Sequence, residues 1–251
     1  MQVFIYKVDG LNIGGFYLAP KKHEGKLPVI VFNRGGTATF SNITFGLTYD
    51  LLMPLAKQGF LIIGSQYRGG LGETIPNGGK DEWGGADVRD VVALFSILEK
   101  TSRADMDRIG MLGGSRGGMM TLLALQKGVP VKAIALAAPA LDLVADLSWR
   151  PGMDSVYSKH MPNYDENREE VLAKRSAINW VDELDENVPI LLIHGQYDER
   201  VNPVSTLRFA MELQKNFHPY KLVILDRDSH SFSRNYQEVI DLYIDWFKDY
   251  L

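Results

Sequence analysis

The segment Gly113-Gly114-Ser115-Arg116-Gly117-Gly118 holds the residues whose types and spacing could do covalent chemistry. Gly113, Ser115 and Gly117 fit Gly-x-Ser-x-Gly, the pattern of a nucleophile elbow. An apolar run precedes it and the good helix formers of residues 121–126 follow, so the serine is expected at a strand-to-helix turn. Such a turn holds the serine in a strained backbone conformation, and a β-carbon at Gly113 or Gly117 would crowd it. The N-terminus of the following helix then aims backbone N–H groups at the serine, where they can receive a developing oxyanion.

A serine hydroxyl is a poor nucleophile at neutral pH and needs a base, which in turn needs an orienting acid. Where a serine is presented on an elbow, its partners follow in the order acid, then histidine. Of the five histidines, His23 lies in a polar loop, His160 in an irregular region, and His218 at the far end of a helix before Pro219. His194 ends an apolar run but precedes the acid candidates. His230 follows the last apolar run and is the expected base. Asp198, after the penultimate apolar run, is the expected acid, with Glu199 as fallback. Asp226 and Asp228 would share the loop of His230 instead of approaching from a neighbouring strand. Capping the next helix is the commoner task for a lone aspartate, and the partnership with Ser115 and His230 overrides it. The oxyanion hole calls for the backbone N–H of Arg116 and a second donor after the run 29–32, at Gly35 or Arg34.

These residues need a scaffold, and the hydrophobic pattern supplies one. Residues 3–8 and 12–18 are β-prone runs around Asp9-Gly10, a hairpin signal. The continuous apolar runs 29–32 and 61–63 read as strands buried on both faces, and 131–138, 189–193 and 221–225 read as further strands. Helical spacing marks 47–57, with Gly59 as its stop, and also 87–99, 204–214 and 238–250. Residues 69–85 are glycine-rich. Gly70 and Gly72 begin a dinucleotide-type fingerprint, but Ile75 stands where its third glycine belongs, so a surface loop is expected and no cofactor is called for. Residues 141–180 break the alternation and read as an excursion above the sheet within a single domain of residues 1–251, with a polar helix near 168–175. Strand–helix repeats after a strand-rich start imply a mostly parallel sheet with helices on both faces. Ligands then sit beyond the carboxyl ends of the strands, where Arg34–Gly36, Ser115, Asp198 and His230 all fall.

Composition narrows the function. With 251 residues, 45% of them hydrophobic and 23% charged, the chain can bury a large core unaided. It has no cysteine, which excludes disulfides, thiolate metal sites and cysteine nucleophiles, and no metal is expected. A net charge of −4 speaks against a nucleic-acid partner. No apolar run is long enough to span a membrane, and the N-terminus lacks the pattern of a secretory signal, so a cytoplasmic protein is the expectation, although a chain trimmed of its signal would look the same.

Taken together, Asp9-Gly10, Tyr67-Arg68-Gly69, Asp87 with its helix, Gly113–Gly118, Ser176-Ala177-Ile178-Asn179, His194-Gly195-Gln196-Tyr197-Asp198-Glu199-Arg200-Val201 and Ser229-His230-Ser231-Phe232 resemble the catalytic domain of the prolyl oligopeptidase family of serine peptidases. The resemblance covers most of the chain. It implies the α/β-hydrolase fold, with a mostly parallel sheet of about eight strands. It implies Ser115 as nucleophile, Asp198 as acid, His230 as base, and His194 as a residue that shapes the acid loop. Two features depart from the family: there is no room for the usual N-terminal β-propeller, and Arg34 stands where Tyr or His commonly precedes the paired glycines. The dienelactone hydrolase group is also similar but normally uses cysteine.

The expected activity is that of a serine hydrolase acting through an acyl-enzyme on a small ester or a short peptide or acyl-amide. The alternatives are a carboxylesterase without peptidase activity and a non-catalytic binding module on the same fold. Trp149 and Tyr157, with Tyr164 and Trp180, could wall an apolar substrate pocket, and Arg34 and Arg116 could attract an anionic group of the substrate. The oligomeric state is not legible.

Overall fold

The Asp9-Gly10 signal closes a hairpin in a computed structural model that describes residues 1–40 and 42–251, Phe45 by its backbone alone. Strands β1 (Gln2–Val8) and β2 (Leu11–Leu18) pair antiparallel from Val8↔Leu11 outward. Both turn residues have positive φ, 52° at Asp9 and 77° at Gly10, the twist a two-residue hairpin loop needs.

The continuous apolar runs form the rest of the sheet: β3 (Leu27–Asn33), β4 (Leu61–Ser65), β5 (Ala104–Gly114), β6 (Ala133–Ala137), β7 (Ile190–Gly195) and β8 (Tyr220–Leu225). The eight strands are ordered β1-β2-β4-β3-β5-β6-β7-β8, and every pair from β4 to β8 is parallel. This is the α/β-hydrolase fold. Their side chains alternate between two cores. Val29, Val31, Leu61, Ile63, Met111, Ile134 and Leu136 enter one core; Ile30, Phe32, Ile62, Leu112, Ala133 and Ala135 enter the other.

Nine α-helices surround the sheet among the described residues: α1 (Phe45–Leu47), α2 (Met53–Lys57), α3 (Val88–Leu98), α4 (Arg116–Gln126), α5 (Leu143–Trp149), α6 (Met153–His160), α7 (Arg168–Arg175), α8 (Pro203–Lys215) and α9 (Tyr236–Tyr250). Apolar stripes of α3, α4 and α8 cover the first core, and those of α2 and α9 the second. Gly110 lacks a side chain where the Phe247 ring presses on β5; a Cβ there would lie 2.6 Å from it.

The helix expected over 47–57 is instead interrupted. Residues Thr48–Leu52 form a π turn, in which the Met53 N–H reaches Thr48 O, and α2 begins beside Pro54. Proline lacks an N–H and clashes with the carbonyl four residues back, and a widened turn lets the chain keep its helical course. Gly59 ends α2 with φ +98°, as its position suggested.

The excursion between β6 and β7 carries α5, α6 and α7, of which the sequence pattern marked only the last. Ser176 ties it down: its Oγ accepts the Leu143 N–H at 2.9 Å and donates to Leu172 O at 2.8 Å. No helix among the described residues is long and apolar enough to cross a membrane.

Candidate active site

The elbow follows from packing on both sides of Ser115. Strand β5 runs up to Gly114 and α4 starts at Arg116, leaving Ser115 at φ 56° and ψ −125°. A backbone held there costs on the order of 1–3 kcal/mol. The Ser115 N–H donates to Ala137 O at 2.8 Å, which locks the turn to β6. A Cβ on Gly117 would lie 1.9 Å from Asn33 O, and one on Gly113 would lie 2.3 Å from Gly117 O. Both glycines are therefore required by backbone contacts. The elbow also sits at the topological switch point, where β3 leads to β4 on one side and β5 leads to β6 on the other.

The loop after β3 presses on the elbow from that crevice. A Cβ on Gly35 would lie 3.1 Å from Gly114 O and 3.3 Å from Ser115 Cβ. Two buried arginines brace this loop from behind. Arg34 donates through Nε to Gln66 O (3.0 Å), through Nη1 to Gly35 O (3.0 Å) and Phe40 O (3.2 Å), and through Nη2 to Ala38 O (2.8 Å) and Gln66 O (2.6 Å). All its donors are spent on backbone carbonyls. Burial, with no carboxylate bound to it, pushes its pKa down to about 10. Arg116 donates to Gly36 O (3.0 Å) and Asp81 Oδ2 (2.6 Å) and pairs with Asp87. The Tyr67 ring lies under both guanidiniums, 4.8 Å from Arg34 and 5.2 Å from Arg116, and its hydroxyl donates to Arg34 O at 3.0 Å. The Asp81 carboxylate also receives the Ala38 N–H at 2.7 Å. Burial works to raise the Asp81 pKa, but the charge and hydrogen bond of Arg116 hold it below the ordinary value; at Asp87 burial wins and the pKa is raised.

The expectation that the Arg34 and Arg116 side chains attract an anionic group is therefore corrected. Both arginines are 1% exposed: the Arg34 donors all go to backbone carbonyls, and Arg116 spends its Nη groups on Gly36 O, Asp81 and Asp87, its Nε having no partner among the described residues. Sequence reading noted Tyr67 and Asp87 as motif residues without a role and missed Asp81, because pairing across loops leaves no local periodicity.

The expected acid and base lie beyond the ends of β7 and β8. After β7, Asp198 Oδ1 accepts the N–H groups of Arg200 (2.7 Å) and Val201 (3.0 Å). Its Oδ2 meets His230 Nδ1 at 2.7 Å and His194 Nε2 at 3.0 Å. A nitrogen facing a carboxylate is the donor, so Nδ1 of His230 carries its proton and Nε2 is left to face elsewhere. His194 is fully buried, with Nδ1 2.7 Å from Thr206 Oγ1. Burial acts to raise the Asp198 pKa, yet the hydrogen bonds from His194 and His230 and the charge on His230 hold it well below the usual carboxylate range. Gly195 lets the two loops meet: a Cβ on it would lie 2.5 Å from Ser229 O. Glu199 is exposed and plays no part. Of the remaining histidines, His218 bonds Val188 O at 2.9 Å in the interior, and His23 is exposed on its loop.

Ser115 and His230 line one cavity of about 630 Å³. No hydrogen bond joins their side chains among the described residues; such bonds often tighten only around substrate. The floor is Phe32, Gly35, Leu112 and Gly114 at the strand ends. The excursion supplies Asp146, Arg150, Met153, Val156 and Tyr157, and α9 supplies Tyr236, Val239 and Tyr243. Tyr157 is in this wall, its ring edge-on to Trp83 at 4.8 Å. Trp149 is not: at the end of α5 it is 46% exposed and outside the lining. Tyr164 and Trp180 pack in the core.

Comparison with known proteins agrees with this architecture. A profile described as "Prolyl oligopeptidase family" matches residues 48–251. The chain is 23% identical to "Uncharacterized peptidase YtmA" of Bacillus subtilis, covering 99% of this chain and 93% of that protein. It is 26% identical to dipeptidyl peptidase 8 of Homo sapiens over 92% of this chain, but spans only 26% of that longer protein. Among solved structures, an acylaminoacyl peptidase of Pyrococcus horikoshii superposes with a TM-score of 0.82 at 24% identity, covering 100% of this chain and 41% of that one. A puromycin-hydrolyzing peptidase of Mycobacterium tuberculosis gives 0.82 at 22% identity, covering 100% and 39%.

Proposed function

Because the chain belongs to the prolyl oligopeptidase family and is a serine hydrolase, we propose that it cleaves a small ester or a short peptide or acyl-amide through an acyl-enzyme on Ser115, His230 and Asp198. The observation that carries this reading is the 2.7 Å contact between His230 Nδ1 and Asp198 Oδ2 on the cavity that Ser115 also lines. Ser115 Oγ attacks the substrate carbonyl carbon while His230 Nε2 takes its proton. Asp198 fixes the imidazole tautomer and stabilises the imidazolium. The backbone N–H groups of Arg116 and Gly35 receive the oxyanion, held in place by the buried arginine bracing behind them. When the tetrahedral adduct collapses, the His230 proton goes to the departing alcohol or amine. Water, deprotonated by the same imidazole, then frees the acid product and restores the Ser115 hydroxyl. Met153, Val156 and Tyr157 form an apolar wall suited to an uncharged part of the substrate.

The names of the similar proteins favour peptide substrates over simple esters. A panel of p-nitrophenyl esters and aminoacyl arylamides, assayed with the wild type and Ser115→Ala, tests the reading. The variant is expected to fall to near background on every substrate that the wild type cleaves. Activity kept at the wild-type level would reject the assignment.

A further inference from the structure

One carboxyl of the cavity wall has no cation beside it among the described residues. Asp146, in α5, is 4% exposed and lines the cavity that holds Ser115 and His230. Its carboxyl accepts one backbone N–H, from Asn202, at a long 3.3 Å. It does not serve as the cap of α5, because Asp142 does, accepting the Ala145 N–H at 3.0 Å. Arg150 and Arg200 line the same cavity, but both are exposed and neither pairs with it among the described residues. The charges that act on Asp146 are those of Asp142 and Asp198, both negative. Beside it the Tyr157 hydroxyl has no hydrogen-bond partner among the described residues. Buried carboxyls ordinarily find a cation or several donors. Burial, only partly offset by the Asn202 N–H and reinforced by the two carboxylates, pushes the Asp146 pKa up to about 7.

Resting on the hydrolase reading above, we propose that Asp146 is a specificity-determining residue that receives a positively charged nitrogen group of the substrate, with the Tyr157 hydroxyl as a second acceptor. An ammonium or guanidinium supplies both the missing charge and the missing donors. Two sources share this chemistry: the α-ammonium of an unblocked aminoacyl substrate, and the side chain of a basic residue.

Two matched pairs of methyl esters separate the sources: alanine against N-acetylalanine, and Nα-acetyllysine against Nα-acetylnorleucine. The wild type is expected to prefer the charged member of one pair by about tenfold or more in kcat/KM, carried by KM, the scale of a charge-assisted hydrogen bond. Asp146→Asn keeps an acceptor for Asn202 and is expected to lower kcat/KM for that charged ester at least tenfold more than for its neutral partner. Asp146→Glu, which keeps the charge, is expected to retain a preference and serves if the Asn variant does not fold. Indifference of the wild type to charge in both pairs, or an equal loss on charged and neutral esters in Asp146→Asn, would overturn the assignment while a fluorophosphonate probe still labels Ser115. If the folded wild type neither cleaves any ester nor takes the probe, the hydrolase reading itself fails and this inference falls with it.

Discussion

At Asp198 two imidazoles share one carboxylate oxygen, and the two have different work. His230 is half in the cavity, whereas His194 is wholly buried, between Thr206 Oγ1 and Asp198 Oδ2. We expect His194→Ala to lower kcat with little change in KM, because the carboxylate that orients His230 loses a donor and can swing. Leaving polar atoms of Asp198 and Thr206 short of partners should also cost about 1–3 kcal/mol in urea denaturation. An unchanged kcat would show that His194 does not hold the acid. The buried carboxyls also set opposite pH dependences. Asp198 has a depressed pKa, so the stability it contributes is present above the unfolded value of about 4 and is lost as pH falls toward its folded value. Asp146 has a raised pKa, so the protonated form is the one the fold favours, and stability is lost as pH rises from about 4 to about 7. Asp146→Asn should therefore match the wild type in unfolding free energy near pH 4 and exceed it at pH 8, by on the order of 1–3 kcal/mol in urea denaturation. A constant difference across that range would contradict the raised pKa. Ser115, Asp198 and His230 were legible as residues because each follows an apolar run, in a fixed order. Asp146 was not, since nothing in a run such as Leu-Val-Ala-Asp-Leu tells which face meets the cavity.

The elements that carry the site are held by backbone contacts that only glycine allows. Gly117→Ala would drive a methyl into Asn33 O, between α4 and β3, and we expect loss of soluble protein or a destabilisation of at least about 3 kcal/mol. At Gly152, by contrast, an added methyl would meet nothing within 4 Å, and φ is −61°, so Gly152→Ala should stay within about 0.5 kcal/mol of the wild type. Similar Tm losses for the two variants would refute the packing account of the elbow. The parallel strands were readable because burial on both faces leaves continuous apolar runs, and the hairpin because Asp-Gly suits its turn. The π turn at Thr48–Leu52 was hidden, since helical spacing survives a widened turn and only Pro54 hinted at it. Helices α5 and α6 were hidden too: they are short, and short helices depend on tertiary contacts more than on their own periodicity, as where Ser176 accepts the Leu143 N–H at the start of α5.

Across the whole molecule, Arg116 joins three distant stretches: from α4 it forms ion pairs with the Asp81–Asp87 loop and donates a hydrogen bond to Gly36 O in the loop after β3. Arg175 of the excursion reaches the same loop, donating to Trp83 O at 3.0 Å. The cavity wall, the loop after β3 and the elbow are thus one connected unit. Arg116→Met would strand two buried carboxylates, and we expect a loss of about 3–5 kcal/mol in urea denaturation together with a fall in kcat. A variant as stable as the wild type would show that the pairs do not tie these loops together. The mostly parallel sheet and a site beyond the carboxyl ends of its strands followed from connection rules; the strand order and the partners of Arg34 and Arg116 did not, because neither pairing between strands nor charge pairing between loops far apart in sequence has a signature in one chain. The central claim is that Ser115 is the nucleophile and that His230, oriented by Asp198, activates it. Mass spectrometry of the protein after reaction with a fluorophosphonate measures this most directly. We predict a single adduct on Ser115, absent in Ser115→Ala and strongly slowed in His230→Ala; an adduct on another residue, or labelling at an undiminished rate in His230→Ala, would contradict it.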